Sequence, residues 1–172
     1  MTSPRIVHSD DVICMAAWQN VLINDTAGRL EVEHMKRLER GYRDLLSSYP
    51  EGVVCLAFLR PGTPVARAAA RNEAARFIKE LGDSLKRTAF VIEDRGVLAQ
   101  VMQTVLRGVN VLIRNPKLVS FSSADDAIES IVPLVAATPG QDVAADLRAA
   151  VATVRNGYAP AAATRPKRPA RL

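Results

Sequence analysis

Between residues 52 and 135, short apolar runs alternate three times with amphipathic helical patterns, and few folds accommodate that alternation. The reading is strand Gly52–Leu59, helix Pro64–Leu85, strand Thr88–Glu93, helix Gly96–Gly108, strand Leu118–Ser122 and helix Ala124–Ala136. Parallel strands need a crossover of about helix length between them, so this order predicts an α/β domain with a mainly parallel sheet. Val53–Leu59 is apolar on both sides of the pleat, the pattern of an interior strand covered by helices on two faces.

Upstream, Val12–Ala16 and Asn20–Asn24 read as two short strands in a tight antiparallel pair, closed by the turn cluster Asp25-Thr26-Ala27-Gly28. A helix follows from about Leu30 to Ser47, with Leu30, Met35, Leu38, Tyr42, Leu45 and Leu46 on one face. The helix after Gly96 is expected to bury Leu98, Val101, Met102, Val105 and Leu106 and to end at Gly108 in a left-handed cap. Val109–Ile113 then reads as a connector or brief strand. Ser123, followed by Asp125 and Asp126, reads as an N-cap. A last helix spans about Val143–Arg155.

The expected layout is a flexible N-terminus over 1–10, one α/β domain over 11–136, a C-terminal helix over 137–157 and a disordered basic Pro/Ala-rich tail over 158–172. The domain should hold a mixed sheet of about five strands flanked by about four helices. The net charge of +5 is mostly the tail's: Arg165, Lys167, Arg168 and Arg171 stand there without an acid, and removing those four leaves +1 for the body. Such a tail offers weak, salt-sensitive attraction to an anionic partner. No apolar run approaches the roughly 18–20 residues that span a bilayer, and the N-terminus lacks the apolar core of a signal peptide, so the expected location is cytoplasmic. Cys14 and Cys55, each inside a strand pattern, read as reduced thiols packed as small hydrophobes.

Nothing in the chain matches a dinucleotide fingerprint, a phosphate-binding loop or a nucleophile elbow. His34 has no His or Cys near it in sequence, and His8 lies in the expected frayed end, so no metal site and no cofactor are expected. In parallel α/β folds, sites form where strand carboxyl ends meet helix N-termini. Two loops qualify, Arg60–Pro64 and Glu93–Gly96, and they offer Arg60, Thr63, Glu93, Asp94 and Arg95 as candidate partner contacts. Thr63 is the candidate helix cap and phosphoacceptor, because a helix N-terminus favours negative charge.

The order two strands, helix, strand, helix, strand, helix, strand, helix over residues 11–136 resembles the STAS-like domain of bacterial anti-sigma-factor antagonists. In that family a phosphorylatable Ser or Thr lies between the third strand and second helix, in an Asp-Ser-Ser/Thr-Gly-like sequence. The corresponding stretch here, Arg60-Pro61-Gly62-Thr63-Pro64, supplies a hydroxyl at Thr63 but neither the Asp nor the trailing Gly. The resemblance implies a small non-catalytic regulatory module that binds another protein, a second copy of itself included. Two other classes stay open. One is a small apolar-ligand or lipid-binding module, which a pocket between Met102, Leu106 and the sheet would mark. The other is an enzyme, which needs polar side chains converging at Arg60, Glu93 and Asp94.

Overall fold

A computed structural model describes residues 3–113 and 117–160 of the chain. Its six strands lie in sequence order across one sheet: β1 (Arg5–Ser9), β2 (Ile13–Trp18), β3 (Val21–Thr26), β4 (Val53–Leu59), β5 (Leu85–Ile92) and β6 (Leu118–Phe121). β1–β2 and β2–β3 pair antiparallel, and β3 to β6 run parallel. The helices are α1 (Val32–Ser48), α2 (Ala68–Leu81), α3 (Val97–Ile113), α4 (Ala124–Ile131) and α5 (Val143–Gly157). From β2 to α4 the element order is STAS-like. All seven residues of β4 are buried, as its two-sided apolarity requires.

The pleat sorts the side chains into two cores. On one face, Leu22 and Cys55 pack under α1 and α2 with Met35, Leu38 and Phe77; α3 joins them through Val109 and, further along, through Met102 on Leu59 and Ile92. On the other, Val21, Leu56 and Phe58 pack under α4 and α5 with Ile128, Ile131 and Leu147. The first face is tight at Gly41, where an added Cβ would lie 3.3 Å from Leu22 Cδ1. The hairpin residue Asn20 ties the layers together. Its amide donates to the carbonyls of Gly52 and Leu134, both at 3.0 Å, and accepts from the Ala136 amide at 2.8 Å.

Several expectations need correction. Residues 5–9 are not a frayed end but an edge strand, which brings the sheet to six strands. Asp25 and Thr26 are not turn residues: they complete β3 and are buried. α3 runs through Gly108 to Ile113, because a glycine inside a helix costs only about 1 kcal/mol and Val109 continues the inward stripe. The helix after β4 starts at Ala68, with Arg67 at the cap position, rather than at Pro64. Tyr158 is not tail: it is buried against the α4–α5 face. Residues 161–172, including Arg165, Lys167, Arg168 and Arg171, lie outside the described residues. Ser123 does cap α4, its hydroxyl accepting from the Asp126 amide at 3.4 Å. Among the described residues, no helix is long and apolar enough to cross a membrane.

Candidate functional site

The two loops expected to form a binding surface do emerge side by side. β4 and β5 are neighbours, and the Glu93 amide donates to the Leu59 carbonyl at 3.1 Å. Asp94 accepts from the Gly62 amide at 2.8 Å, linking the loops directly. Most of their polar side chains nevertheless point inward.

Arg60-Pro61-Gly62-Thr63 is a tight turn, with Gly62 at φ +80° and the Thr63 amide donating to the Arg60 carbonyl. Proline second and a positive-φ glycine third are the residues of a type II turn. The turn drives Thr63 inward, leaving it 3% exposed, and its hydroxyl donates to the Thr26 carbonyl at 3.0 Å. Thr63 is therefore neither a helix cap nor a presented hydroxyl, and its expected role as contact or phosphoacceptor loses its surface.

Arg60 and Glu93 hold α5. Arg60 grips the fully buried Asp25 through Nε and Nη2, at 2.6–3.1 Å, and Nη2 also donates to the Tyr158 carbonyl. The charged hydrogen bonds to Asp25, more than enough to offset burial, raise the Arg60 pKa. Glu93 takes both terminal nitrogens of Arg155 at 2.7 and 2.8 Å. The guanidiniums of Arg60 and Arg155 stand over the rings of Tyr158 and Phe58, 5.0 and 4.6 Å from the centroids. Charges that read as partner contacts are matched within the chain. Of the five candidates, Arg95 alone is exposed, while Asp94 is half-buried.

The other face of the sheet carries a cavity of about 130 Å³. Its floor is Asn24 on β3, Cys55 and Ala57 on β4, and Thr88 on β5, side by side because Asn24 pairs with Ala57 and Cys55 with Thr88. α1 supplies Leu38 and Tyr42, α2 supplies Phe77 and Ile78, and α3 supplies Met102 and Leu106. The enclosing surface is almost wholly apolar, and Arg71 is its single charged residue, with Nη1 held by the Ala66 carbonyl at 2.6 Å.

The floor is polar at one spot. Asn24 is 4% exposed; its Nδ2 donates to Cys55 Sγ at 3.1 Å, and its Oδ1 has no hydrogen-bond partner. Thr88 Oγ1, on a residue 3% exposed, also lacks a bond of acceptable geometry, although the Tyr42 hydroxyl lies close enough to feel it. Burial pushes the Cys55 thiol up to about 12, against the opposing effect of Tyr42 and Asn24, and burial likewise raises Tyr42 well above the ordinary tyrosine value. The floor is thus uncharged near neutral pH.

Asn24 and Thr88 were not legible as site residues. Each stands at an end of an apolar run, where a polar residue reads as the strand's boundary. Their signal is parity: Asn24 falls two residues from Leu22 and so faces the same core. His34, which has no His or Cys near it in sequence, shares a carboxylate with His8 in the fold. His8 Nε2 and His34 Nε2 approach Asp10 Oδ2 at 2.7 and 3.6 Å. Among the described residues, no group of three or more His, Cys, Asp or Glu is arranged to hold a metal.

No family model matches the chain, and no curated protein does. Among solved structures it is similar to an uncharacterized protein of the DUF3478 family with a SpoIIAA-like fold from Shewanella loihica PV-4. The two are 16% identical over 76% of this chain and 96% of the other, with a TM-score of 0.49.

Proposed function

We propose that this domain is a ligand-binding module that holds a small apolar molecule between the sheet and α1, α2 and α3. One observation carries the reading: an apolar cavity lies where Met102 and Leu106 face the sheet, and buried polar atoms in its floor have no partner. A buried polar atom left unsatisfied costs about 1–3 kcal/mol, so a chain retains one chiefly where something else completes it. The volume sets the scale. Drug-sized sites run to roughly 300–1,000 Å³, whereas an engineered apolar cavity of about 150 Å³ in another protein takes up benzene. A cavity of about 130 Å³ is sized for one ring or a short chain, not a long acyl tail.

A STAS-like α/β domain is consistent with a regulatory module, and occupancy of the cavity gives such a module something to sense. A protein-interaction role has support of its own from α3. Val97, Val101, Thr104, Gly108 and Val111 follow one another at alternating four- and three-residue steps, and all are exposed, Val97 and Val111 at 76%. That spacing is a coiled-coil-like seam. It lies on the helix whose opposite side closes the cavity.

Titration of the full chain with toluene, followed by amide chemical shifts, tests the ligand reading. The expected result is saturable shifts at Leu38, Phe77 and Thr88 that are lost in Ala57→Leu, which fills the cavity. Shifts absent, or confined to the outer face of α3, would overturn it.

A further inference from the structure

We propose that the cavity selects an uncharged, single-ring-sized molecule bearing one hydroxyl, which Asn24 and Thr88 read together. This rests on the ligand-binding reading above and specifies its chemistry. The apolar walls accept a hydrocarbon body, and the volume limits that body to about one ring. Polarity is concentrated on the floor, where two strands bring Asn24 and Thr88 to either side of β4.

The donor and acceptor inventory decides the head group. Asn24 Nδ2 is committed to Cys55 Sγ, which leaves Oδ1 as a buried acceptor. Thr88 Oγ1 both donates and accepts, and the Tyr42 hydroxyl beside it competes for it. A ligand hydroxyl seated over Cys55, between the two strands, would donate to Asn24 Oδ1 and accept from Thr88. Were the Asn24 amide turned over, its exposed end would be a donor, and a hydroxyl would satisfy that as well. With Nδ2 on Cys55 Sγ, a carboxylate cannot: it only accepts, and it would meet Oδ1 acceptor to acceptor. A charged head group would also find no counter-charge on the floor, since Cys55 and Tyr42 are held neutral by burial. Arg71 is the one rival, a cation on the lining, but its Nη1 is already bonded to the Ala66 carbonyl.

Amide-shift titrations of phenol, toluene and benzoate against wild type, Thr88→Val and Asn24→Leu separate the cases. Both substitutions are close in shape: Thr88→Val removes a buried hydroxyl, and Asn24→Leu gives up one hydrogen bond to Cys55 Sγ, so both variants are expected to fold. In wild type, phenol is expected to bind and benzoate not. The phenol-to-toluene affinity ratio should fall about tenfold in each variant, the change expected from one buried hydrogen bond. Comparing ratios cancels the differing cost of dehydrating the two probes. An unchanged ratio, or benzoate binding more tightly than phenol, overturns the hydroxyl assignment while leaving a ligand-binding cavity. Failure of all three probes to bind overturns the assignment together with the reading beneath it.

Discussion

Arg155 and Glu93 meet through two parallel hydrogen bonds, 2.7 and 2.8 Å long, that join the last turn of α5 to the carboxyl end of β5. Arg155 Nε also lies 3.4 Å from Asp25 Oδ2, so one guanidinium bridges two carboxylates. The strand ends that would otherwise present a charged surface are thereby used to seat the C-terminal helix. Arg155→Ala is expected to cost about 1–2 kcal/mol, since a partly exposed pair is screened by solvent. Amide exchange should increase along α5 more than along α2. Equal exchange in wild type and variant would show that apolar packing alone holds the helix.

The Asp25–Arg60 pair is the more costly one to break. Asp25 is fully buried, and a buried carboxylate stripped of its partner typically costs about 3–5 kcal/mol. Arg60→Ala should approach that range in chemical denaturation, because it leaves Asp25 only the longer contact with Arg155 Nε. The double change Asp25→Leu with Arg60→Met should cost much less, because no charge is left stranded. Equal losses for the single and double variants would remove the charge-burial explanation.

Asp10 gives the fold a defined acid sensitivity. Burial alone would raise its pKa, but hydrogen bonds from His8 and from the Ile13 and Val12 amides outweigh that and hold it at about 2. A depressed folded-state value contributes stability that is complete above the unfolded-state value near 3.8 and is lost as pH falls toward 2. Asp10→Asn should flatten the stability curve in that window, with an effect of about 1–2 kcal/mol after solvent screening. A wild-type curve with the same slope as the variant between pH 4 and 2 would contradict this.

Cys14 and Cys55 should resist alkylation in the native state at pH 8. Burial raises both thiols, Cys55 to about 12, so neither offers appreciable thiolate. Both cysteines are free and buried. Rapid modification of Cys55 by iodoacetamide without denaturant would show that the cavity floor opens to water.

What could be read from the chain alone follows from the range of the physics involved. β4 was legible because its apolarity is local and two-sided. β1 was not: Arg5–Ser9 is a polar edge strand whose pairing with β2 decides its structure. Gly108 suggested an ending, yet Val105 and Val109 on either side keep the helical stripe going. A pocket beside Met102 and Leu106 is what a ligand-binding module would need, but the sequence does not say whether one exists. Its polar floor was not legible either, because Asn24 and Thr88 lie 64 positions apart and meet only through β4. Arg60 and Glu93 read as exposed loop charges for the same reason: their partners Asp25 and Arg155 are 35 and 62 positions away.

The most direct measurement is a crystal structure of the full chain soaked in toluene. One ring-shaped density is expected between Ala57, Phe77 and Met102, absent from Ala57→Leu crystals treated identically. An empty cavity in soaked wild-type crystals, with toluene bound elsewhere or nowhere, would contradict it.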